Sequence, residues 1–428
     1  MISIRPHILT DATPKQLEQA AADNYRELAC LEAIAWGGEV KAKDGLLWTY
    51  AGPDNSATIP FPLLQPADAG QLLDTMMDYY RQHPPNGAGY WSLHPPQPDD
   101  IGIRLLARGF QPGWQPCWMA LDLEAIKAQH TAPAGVQVRG DNDTDIHDIK
   151  GLPYSANNNI LTPACRKANP GRAQRFIASL HGKILGQSAV FFTTGDYGVA
   201  GIYNVGVVPK AQNKGIGKAV TLAACLYAKE QGYRYAVLNA TASGRRIYEQ
   251  IGFEWMGDGL TWWLAGNRYM NKPSPFEVAL VEATGRGDTA ALEKLGAEMT
   301  TAALSAPVTN GMTLMELAVH CKQPASAEWL IAHEVAYTLL DVWDLGWKER
   351  AAALLREKPQ EVNRQYREGN ITVLHMAAQR NDMALAELAL SANPDLTLRD
   401  SWHDSPPLGW AEFFQRPEIT RMIKTHAG

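Results

Sequence analysis

The sequence predicts a mixed α/β fold of the α+β type over residues 1–270 and an all-α array over residues 275–428. Strand-like runs alternate with amphipathic helical runs up to Pro273-Ser274-Pro275, and short Ala/Leu/Glu-rich helical pairs follow. The chain has 428 residues, which is too many for one ordinary core, so we expect two or three domains. An apolar fraction of 46% and a charged fraction of 20% are typical of a soluble globular protein.

Composition excludes several classes of protein. The net charge is −6 and Lys and Arg are scattered, so we expect no nucleic-acid partner. The five cysteines contain no Cys-x-x-Cys pair, so we expect neither a metal site nor a disulfide framework, and a reducing, cytoplasmic location fits. The N-terminus lacks the apolar run of a signal peptide, and no stretch is long and apolar enough for a membrane span.

The middle of the chain shows strands and helices in a regular order. A strand at Gly135–Arg139 precedes a polar region expected to be helical and a loop-rich segment, Leu152–Pro170. The remaining elements are three strands, a helix and a further strand, at Phe176–Leu180, Ile184–Thr193, Gly201–Val208, Gly217–Gln231 and Tyr235–Leu238.

A glycine-rich turn joins the strand ending at Pro209 to the helix that follows. Residues 212–217 read Gln-Asn-Lys-Gly-Ile-Gly. Glycines next to a helix start let backbone N–H groups converge without an interfering Cβ atom, and the helix adds its positive N-terminal end. The turn is therefore expected to hold an anion such as a phosphate.

A second motif follows at a matching distance. Asn239 ends another strand, and Tyr248 stands four residues before Gly252-Phe253. Together, the turn and this Tyr-x-x-x-Gly-Phe pattern resemble the acetyl-coenzyme A site of the GCN5-related N-acetyltransferase (GNAT) family. The resemblance covers roughly residues 135–265. It implies the GNAT fold, acetyl-coenzyme A as co-substrate and transfer of an acetyl group to a primary amine.

The resemblance also assigns cofactor-binding residues. The strand backbone near Val207 would pair with the pantetheine arm, and the N–H groups of the turn would hold the pyrophosphate. Asn239 and Thr241 would lie near the thioester, Thr241 standing where relatives often have Asn. The implied cofactor-binding set is Val207, Gln212, Asn213, Lys214, Gly215, Ile216, Gly217, Lys218, Asn239 and Thr241.

By the same resemblance, Tyr248 would be the general acid that protonates the leaving thiolate. A phenol keeps its proton at neutral pH, so it can donate it. Many relatives carry a Glu as general base at the position that Tyr203 occupies here, with Asn204 after it. We expect Tyr203 and Asn204 to hold an ordered water in its place, with His181 and Asp196 as alternative bases.

We expect the acetyl group to pass directly from acetyl-coenzyme A to the amine, without a covalent intermediate on a cysteine. Cys225 falls inside the helix after the turn and is expected to lie in the core. Cys165 stands in a loop-rich segment with no His close to it in sequence.

The N-terminal segment resembles a degenerate copy of the same fold. Gly109-Phe110 and the aromatic residues after it, through Leu121, parallel Gly252-Phe253 and a predicted hairpin over Glu254–Leu264. The helix candidate Ala69–Gln82 is not preceded by a glycine-rich turn, and Leu105 stands at the tyrosine position. We therefore predict a degenerate GNAT-like domain at 1–130, which packs on the other copy and shapes the acceptor pocket, and a catalytic GNAT domain at 131–270.

The C-terminal segment resembles ankyrin repeats. Residues 372–378, Thr-Val-Leu-His-Met-Ala-Ala, are similar to the Thr-Pro-Leu-His-x-Ala-Ala motif, and Pro406-Pro407-Leu408 follows 34 residues after the matching position. We predict an ankyrin-like solenoid over residues 275–428. In such repeats the His, here His375, bonds backbone between units, and the stack is a possible surface for a protein partner.

Three functions remain open at this point. The first is an N-acetyltransferase for a small amine, such as an amino acid derivative, a polyamine or an amine-bearing antibiotic. The second is a protein acetyltransferase that acts on lysine or N-terminal amines and is recruited through the ankyrin-like array. The third is a non-catalytic module that senses coenzyme A, which the missing carboxylate base would favour.

Overall fold

The structure is a computed structural model that describes residues 7–126, 132–147, 149–155, 160–241, 244–265, 270–366 and 369–427. Two compact units divide the chain, Met1–Pro273 and Ser274–Gly428. The first unit carries all the strands of the described residues, and the second is helical. The boundary predicted between residues 130 and 131 lies outside the described residues.

One large mixed sheet organises the first unit. Its strands and those of a separate hairpin are β1 Glu39–Lys43, β2 Leu46–Tyr50, β3 Ser56–Pro60, β4 Gly87–Leu93, β5 Gln111–Pro112, β6 Cys117–Asp122, β7 Gln137–Gly140, β8 Ala173–Leu180, β9 Lys183–Phe192, β10 Ala200–Val207, β11 Tyr235–Ala240 and β12 Glu254–Ala265. Within the described residues, β1 and β2 pair with each other, and the large sheet has the order β3-β4-β12-β6-β11-β10-β9-β8-β7, with β5 also on β12.

The two segments of the first unit share strands. Strand β6, from the N-terminal segment, lies between β11 and β12 of the following segment. The first half of β12 pairs with β6, and its second half pairs with β4. The hairpin predicted over Glu254–Leu264 is therefore wrong. One twelve-residue strand runs through this region, because each half of it finds a different antiparallel partner.

The helices of the first unit pack on this sheet. They are α1 Pro14–Ala35, α2 Ala69–Gln82, α3 Ile101–Leu106, α4 Pro163–Ala168, α5 Ile216–Glu230 and α6 Arg245–Glu249. The predicted bounds of α2 are confirmed, and those of α5 are confirmed to within one residue. The buried positions of α2, including Leu72, Leu73, Met76 and Met77, repeat at helical spacing and fill one core of the unit.

The polar region after β7 is not helical in the described residues, contrary to expectation. The Asp141 carboxylate accepts the backbone N–H groups of Asp143 and Thr144 at 3.1 and 2.7 Å. It also accepts the Thr144 hydroxyl at 2.7 Å. These local bonds offer the backbone an alternative to helix, which explains the turn that forms instead.

Short antiparallel helix pairs build the second unit. The helices are α7 Pro275–Arg286, α8 Thr289–Gly296, α9 Thr301–Ser305, α10 Leu314–His320, α11 Pro324–Ala332, α12 Leu339–Asp344, α13 Lys348–Glu357, α14 Val373–Arg380, α15 Met383–Ser391, α16 Pro407–Phe413 and α17 Pro417–Ala427. Thr313, Thr338 and Thr372 begin three of these helices with capping boxes, which satisfy backbone donors at the helix starts.

His375 is fully buried and joins neighbouring helix pairs. Its Nδ1 accepts the Thr372 backbone N–H at 3.1 Å, and its Nε2 lies 3.0 Å from the Ser405 carbonyl oxygen. Burial lowers the pKa of this imidazole, so it is neutral near pH 7. These contacts of His375 are structural.

None of the helices in the described part of the chain is long and apolar enough to cross a membrane.

Candidate active site

A cleft of about 1240 Å³ opens in the first unit where two parallel strands separate. Strands β10 and β11 pair only at Ala200 with Ala236 and at Gly201 with Val237. Beyond these pairs the two strands diverge, and residues 202–207 and 238–241 line the cleft. The gap leaves an open strand edge with free backbone donors and acceptors, which an extended ligand can pair with.

The glycine-rich turn lies at one end of the cleft. Residues 209–211 form a 3-10 turn, Gly215 caps helix α5 with φ of +79°, and Gln212 donates from Nε2 to the Val207 carbonyl oxygen at 3.2 Å. Within the described residues, the backbone N–H groups of residues 213–218 have no protein acceptor. The turn therefore presents several free donors at the positive end of a fifteen-residue helix.

Lysine side chains add positive charge around this turn. Lys210 and Lys214 are exposed, and Lys218 is half-buried in the first turn of α5. Lys218 and the predicted residues Gln212, Asn213, Gly215, Ile216 and Gly217 line the cleft, whereas Lys214 does not. The turn thus has the donors, the charge and the room that a pyrophosphate needs.

Tyr203 and Asn204 lie at a bulge in the middle of β10. The register with β9 shifts between Tyr203 and Gly206, and Asn204 has φ of +52°. The Tyr203 hydroxyl donates to Asn24 Oδ1 at 2.7 Å, and Asn204 Nδ2 donates to the Ile160 carbonyl oxygen at 2.8 Å. Burial raises the pKa of Tyr203 well above its usual value, so its phenol is a neutral donor rather than a base.

Asn24, on α1, fixes this part of the sheet from outside it. Its Nδ2 lies within 3.3 Å of the Phe191 and Val199 carbonyl oxygens and 3.1 Å from Thr193 Oγ1. A Cβ atom on Gly201 would lie only 2.0 Å from Asn24 Oδ1, so a glycine is required for this approach. The long helix α1 is therefore tied to the strands that form the cleft.

We expect Asn24→Ala to lower the free energy of unfolding by about 2–4 kcal/mol, because it leaves the Tyr203 hydroxyl without its acceptor and removes the Nδ2 bonds to Thr193 Oγ1 and to two buried carbonyl oxygens. Chemical denaturation measures this loss. The control is Gln19→Ala on the same helix, which removes only a half-buried bond to Asp23 and should cost less than about 1 kcal/mol. Equal effects of the two variants would contradict the role of Asn24.

Tyr248 lies on the short helix α6 and lines the cleft between the ends of β10 and β11. Its ring packs edge-on against Phe253 at 6.0 Å between centroids. The hydroxyl makes no hydrogen bond to a described residue. Burial, together with the nearby Tyr154 hydroxyl and Cys225 thiol, raises its pKa above the usual value, so the phenol keeps its proton through neutral pH.

Of the other predicted residues, the structure places some at the cleft and others away from it. Asn239 and Thr241, at the end of β11, line the cleft near Tyr248. His181 and Asp196 do not line it; His181 is exposed, and Asp196 pairs with His7 at 3.4 Å. Cys165 and Cys225 are buried, which raises the pKa of both thiols, that of Cys165 to about 12. No group of His, Cys, Asp and Glu in the described residues can hold a metal ion.

A second wall of the cleft is built largely from residues 1–130, which the sequence predicts to shape the acceptor pocket, but no motif identifies its individual residues. Residues of α1, β2, β3 and β4 form it, together with Trp36, Trp114 and Trp263. Its members include Tyr25, Glu32, Trp36, Thr49, Trp91, Trp114 and Trp263. A long helix and scattered aromatic residues carry no chemical motif, so only the fold brings them to the site.

Comparison with known proteins agrees with this geometry. Residues 144–253 match the sequence model of the acetyltransferase (GNAT) family. The matched segment contains β8 to β11, the turn and Tyr248, so the chain carries a GNAT acetyltransferase domain. The protein is accordingly an acyltransferase.

Several solved structures are similar to part of the chain. A GCN5-related N-acetyltransferase from Kribbella flavida is 17% identical, with a TM-score of 0.44, over 57% of this chain and 96% of that one. A tandem GNAT protein from the clavulanic acid biosynthesis pathway is 15% identical, with a TM-score of 0.41, over 57% and 94%. A GCN5-related N-acetyltransferase from Sphaerobacter thermophilus is 14% identical, with a TM-score of 0.40, over 59% and 94%. No curated protein matched the chain.

Proposed function

We propose that the protein transfers an acetyl group from acetyl-coenzyme A directly to a primary amine of a small molecule. One observation carries this proposal: residues 213 and 215–218 with their free N–H groups, the open edges of β10 and β11, and Tyr248 all line one cleft. The turn fits the pyrophosphate, and the divergent strands fit the pantetheine arm. These residues are the ones that the sequence motifs predict.

The chain's own residues have distinct roles in this reaction. Acetyl-coenzyme A supplies a thioester, and the C–N bond forms as the C–S bond breaks. The backbone N–H near Val207 polarises the carbonyl oxygen, and Asn239 and Thr241 position the thioester end. Tyr248 donates its proton to the thiolate sulfur, and the proton released by the amine nitrogen passes to water and restores the phenol. Acetylated amine and free coenzyme A are the products.

A water molecule held at the bulge of β10 would remove the proton from the amine. Tyr203 is locked to Asn24 and Asn204 to the Ile160 carbonyl, so neither supplies a carboxylate or a free base. The ordered water proposed beside them would instead accept the proton that the neutral form of the amine loses as it attacks the thioester. The rate should therefore follow the protonation state of the amine itself.

This proposal predicts a one-sided pH profile. With an alkylamine acceptor, log(kcat/KM) should rise with a slope of about 1 up to the amine pKa of about 10. Tyr248 acts in its protonated form, and its raised pKa moves the loss of that form to higher pH, so no fall is expected below about pH 10. Thiol release at fixed ionic strength measures the profile. A falling limb between pH 8 and 9 would contradict the role of Tyr248.

We further propose that residues 1–130 are a degenerate GNAT-like copy that has become part of the catalytic site. Leu105 on α3 stands where Tyr248 stands on α6, and residues 63–68 replace the glycine-rich turn. This segment gives β6 to the sheet of residues 131–270 and supplies most of the second wall of the cleft. Its proposed function is to shape the acceptor pocket.

The second unit is proposed to be an ankyrin-like array over residues 275–428. The helix pairs, the capping boxes and the bonds of His375 to Thr372 and Ser405 support this interpretation. Such an array favours the alternative of a protein substrate recruited through its surface. Thiol release with small amines and lysine peptides distinguishes the two: turnover of a small amine by the full chain, retained when residues 272–428 are removed, supports the small-molecule reaction.

A further inference from the structure

We propose that the acceptor is a monoamine with an aromatic or bulky apolar body. This inference rests on the proposed acetyl transfer and names the substrate class of the same cleft. It is carried by two properties of the wall that contains Trp91 and Trp114: its aromatic rings are continuous, and its one carboxylate, Glu32, is already bound by protein donors.

The aromatic rings form one connected surface. Tyr25 packs on Trp91 with 4.6 Å between ring centroids and lies 6.4 Å from Tyr203. Trp91 contacts Trp114 at 5.8 Å and Trp263 at 6.2 Å, both edge-on. All five side chains line the cleft. The surface therefore extends from Tyr203, at the bulge of β10, through Tyr25 and Trp91 to Trp114 and Trp263.

The rings are held in place before any ligand binds. Trp263 donates from Nε1 to Thr261 Oγ1 at 3.2 Å, and the Thr261 hydroxyl donates to the Trp114 carbonyl oxygen at 2.7 Å. Trp91 is buried, whereas 37% of Trp114 is exposed. A rigid wall of this kind binds a flat or bulky apolar group at little cost in side-chain entropy, and the exposed face of Trp114 is free to stack.

Charge on the same wall is sparse. Among the described lining residues of the cleft, Glu32 is the one carboxylate and Lys218, at the cofactor turn, is the one basic side chain. The described acceptor side thus offers one carboxylate, and the Arg166 guanidinium lies close enough to interact with it electrostatically.

Glu32 is itself firmly fixed. Its Oε1 accepts the Trp36 indole N–H at 2.9 Å and the Thr162 hydroxyl, and its Oε2 accepts the Thr162 backbone N–H at 3.1 Å. The Cys165 thiol also hydrogen-bonds to this carboxylate. Together these donors fill the roughly four acceptor sites of a carboxylate, so Glu32 keeps none for an ammonium group of a ligand.

This chemistry separates the candidate acceptors. A polyamine or an aminoglycoside carries several ammonium groups. Each ammonium group that enters the cleft without a carboxylate partner would lose its hydration with no ion pair to compensate for it. An apolar monoamine loses little water and buries its body on the indole rings. The cleft therefore selects monoamines with apolar bodies over polycationic acceptors.

The test is acetyl-coenzyme A turnover by the full chain with matched amines. Phenylethylamine and tryptamine represent the proposed class, spermidine and kanamycin the polycations, and a lysine peptide the protein substrate. We expect kcat/KM for the aryl amines to exceed that for every other acceptor at least tenfold. Preference for spermidine, kanamycin or the peptide would overturn the inference while leaving the acetyl transfer intact. Thiol release with none of the amines would instead count against the proposed function.

A variant of the aromatic wall supplies the second readout. Trp114→Leu should raise KM for tryptamine about 5- to 20-fold with little change in kcat, because it removes stacking with the apolar body of the amine but no reacting group. The control is Trp402→Leu, which removes an indole that is 54% exposed in the second unit and should leave KM unchanged. An unchanged KM for Trp114→Leu, or an equal loss for both variants, would overturn the assignment of the aromatic wall.

Discussion

Replacing Gly215 with Glu should weaken acetyl-coenzyme A binding at least 100-fold. Gly215 caps α5 with φ of +79°, a conformation that side chains rarely adopt, and it lines the cleft beside the free N–H groups of the turn. A glutamate there adds bulk and a negative charge where the pyrophosphate is expected. Isothermal titration with acetyl-coenzyme A measures the loss.

Gly232→Glu is the matched control for this substitution. Gly232 also has a positive φ, of +88°, and a Cβ atom there would meet nothing within 4 Å. It follows α5 and does not line the cleft. The control therefore carries the same backbone strain and the same added charge, but should bind acetyl-coenzyme A normally. Retained affinity in Gly215→Glu would contradict the placement of the pyrophosphate at this turn.

Replacing Tyr248 with Phe should lower kcat by a factor of about 10–100 and leave acetyl-coenzyme A affinity within about twofold. The phenol is the one group of α6 expected to donate a proton to the leaving sulfur, and its ring packing on Phe253 is kept by the substitution. A loss confined to kcat is expected when an interaction acts only in the transition state. Steady-state thiol release and titration together measure both quantities.

Tyr227→Phe provides the control for loss of a hydroxyl. Tyr227 lies on α5, packs against Phe176 and Phe192, and does not line the cleft. Its variant should keep the wild-type kcat. If Tyr248→Phe also kept it, the general acid would have to be another group, and if both variants lost activity equally, the effect would be one of packing.

Local patterns predicted much of the fold. Helix α2 and strands β8, β9 and β10 lie where hydrophobic periodicity places them, because each buries apolar residues on one face or both. The long strand β12 was not predictable in this way. Its two halves pair with β6 and β4, which lie more than 130 residues away in sequence, so the choice between a hairpin and one strand depends on non-local partners.

The candidate site, like the fold, could be predicted only in part from local patterns. The turn at residues 212–218 and Tyr248 follow from short motifs, since backbone geometry and residue type there are set locally. The roles of Asn24 and of the aromatic wall could not be predicted from short motifs, because no spacing along the chain relates α1 to the bulge at Tyr203. The missing carboxylate at Tyr203 is visible in the sequence, but the bond that makes this phenol a donor to Asn24 required the fold.

The most direct test of the account is acetyl-coenzyme A turnover by the full chain with a panel of primary amines, with thiol release and acetylated amine measured in the same reaction. We predict that the two products appear in equal amounts, only when an amine is present, and that Gly215→Glu abolishes both. Binding of acetyl-coenzyme A without turnover of any small amine or lysine peptide would contradict the proposed transfer and would favour a module that senses coenzyme A.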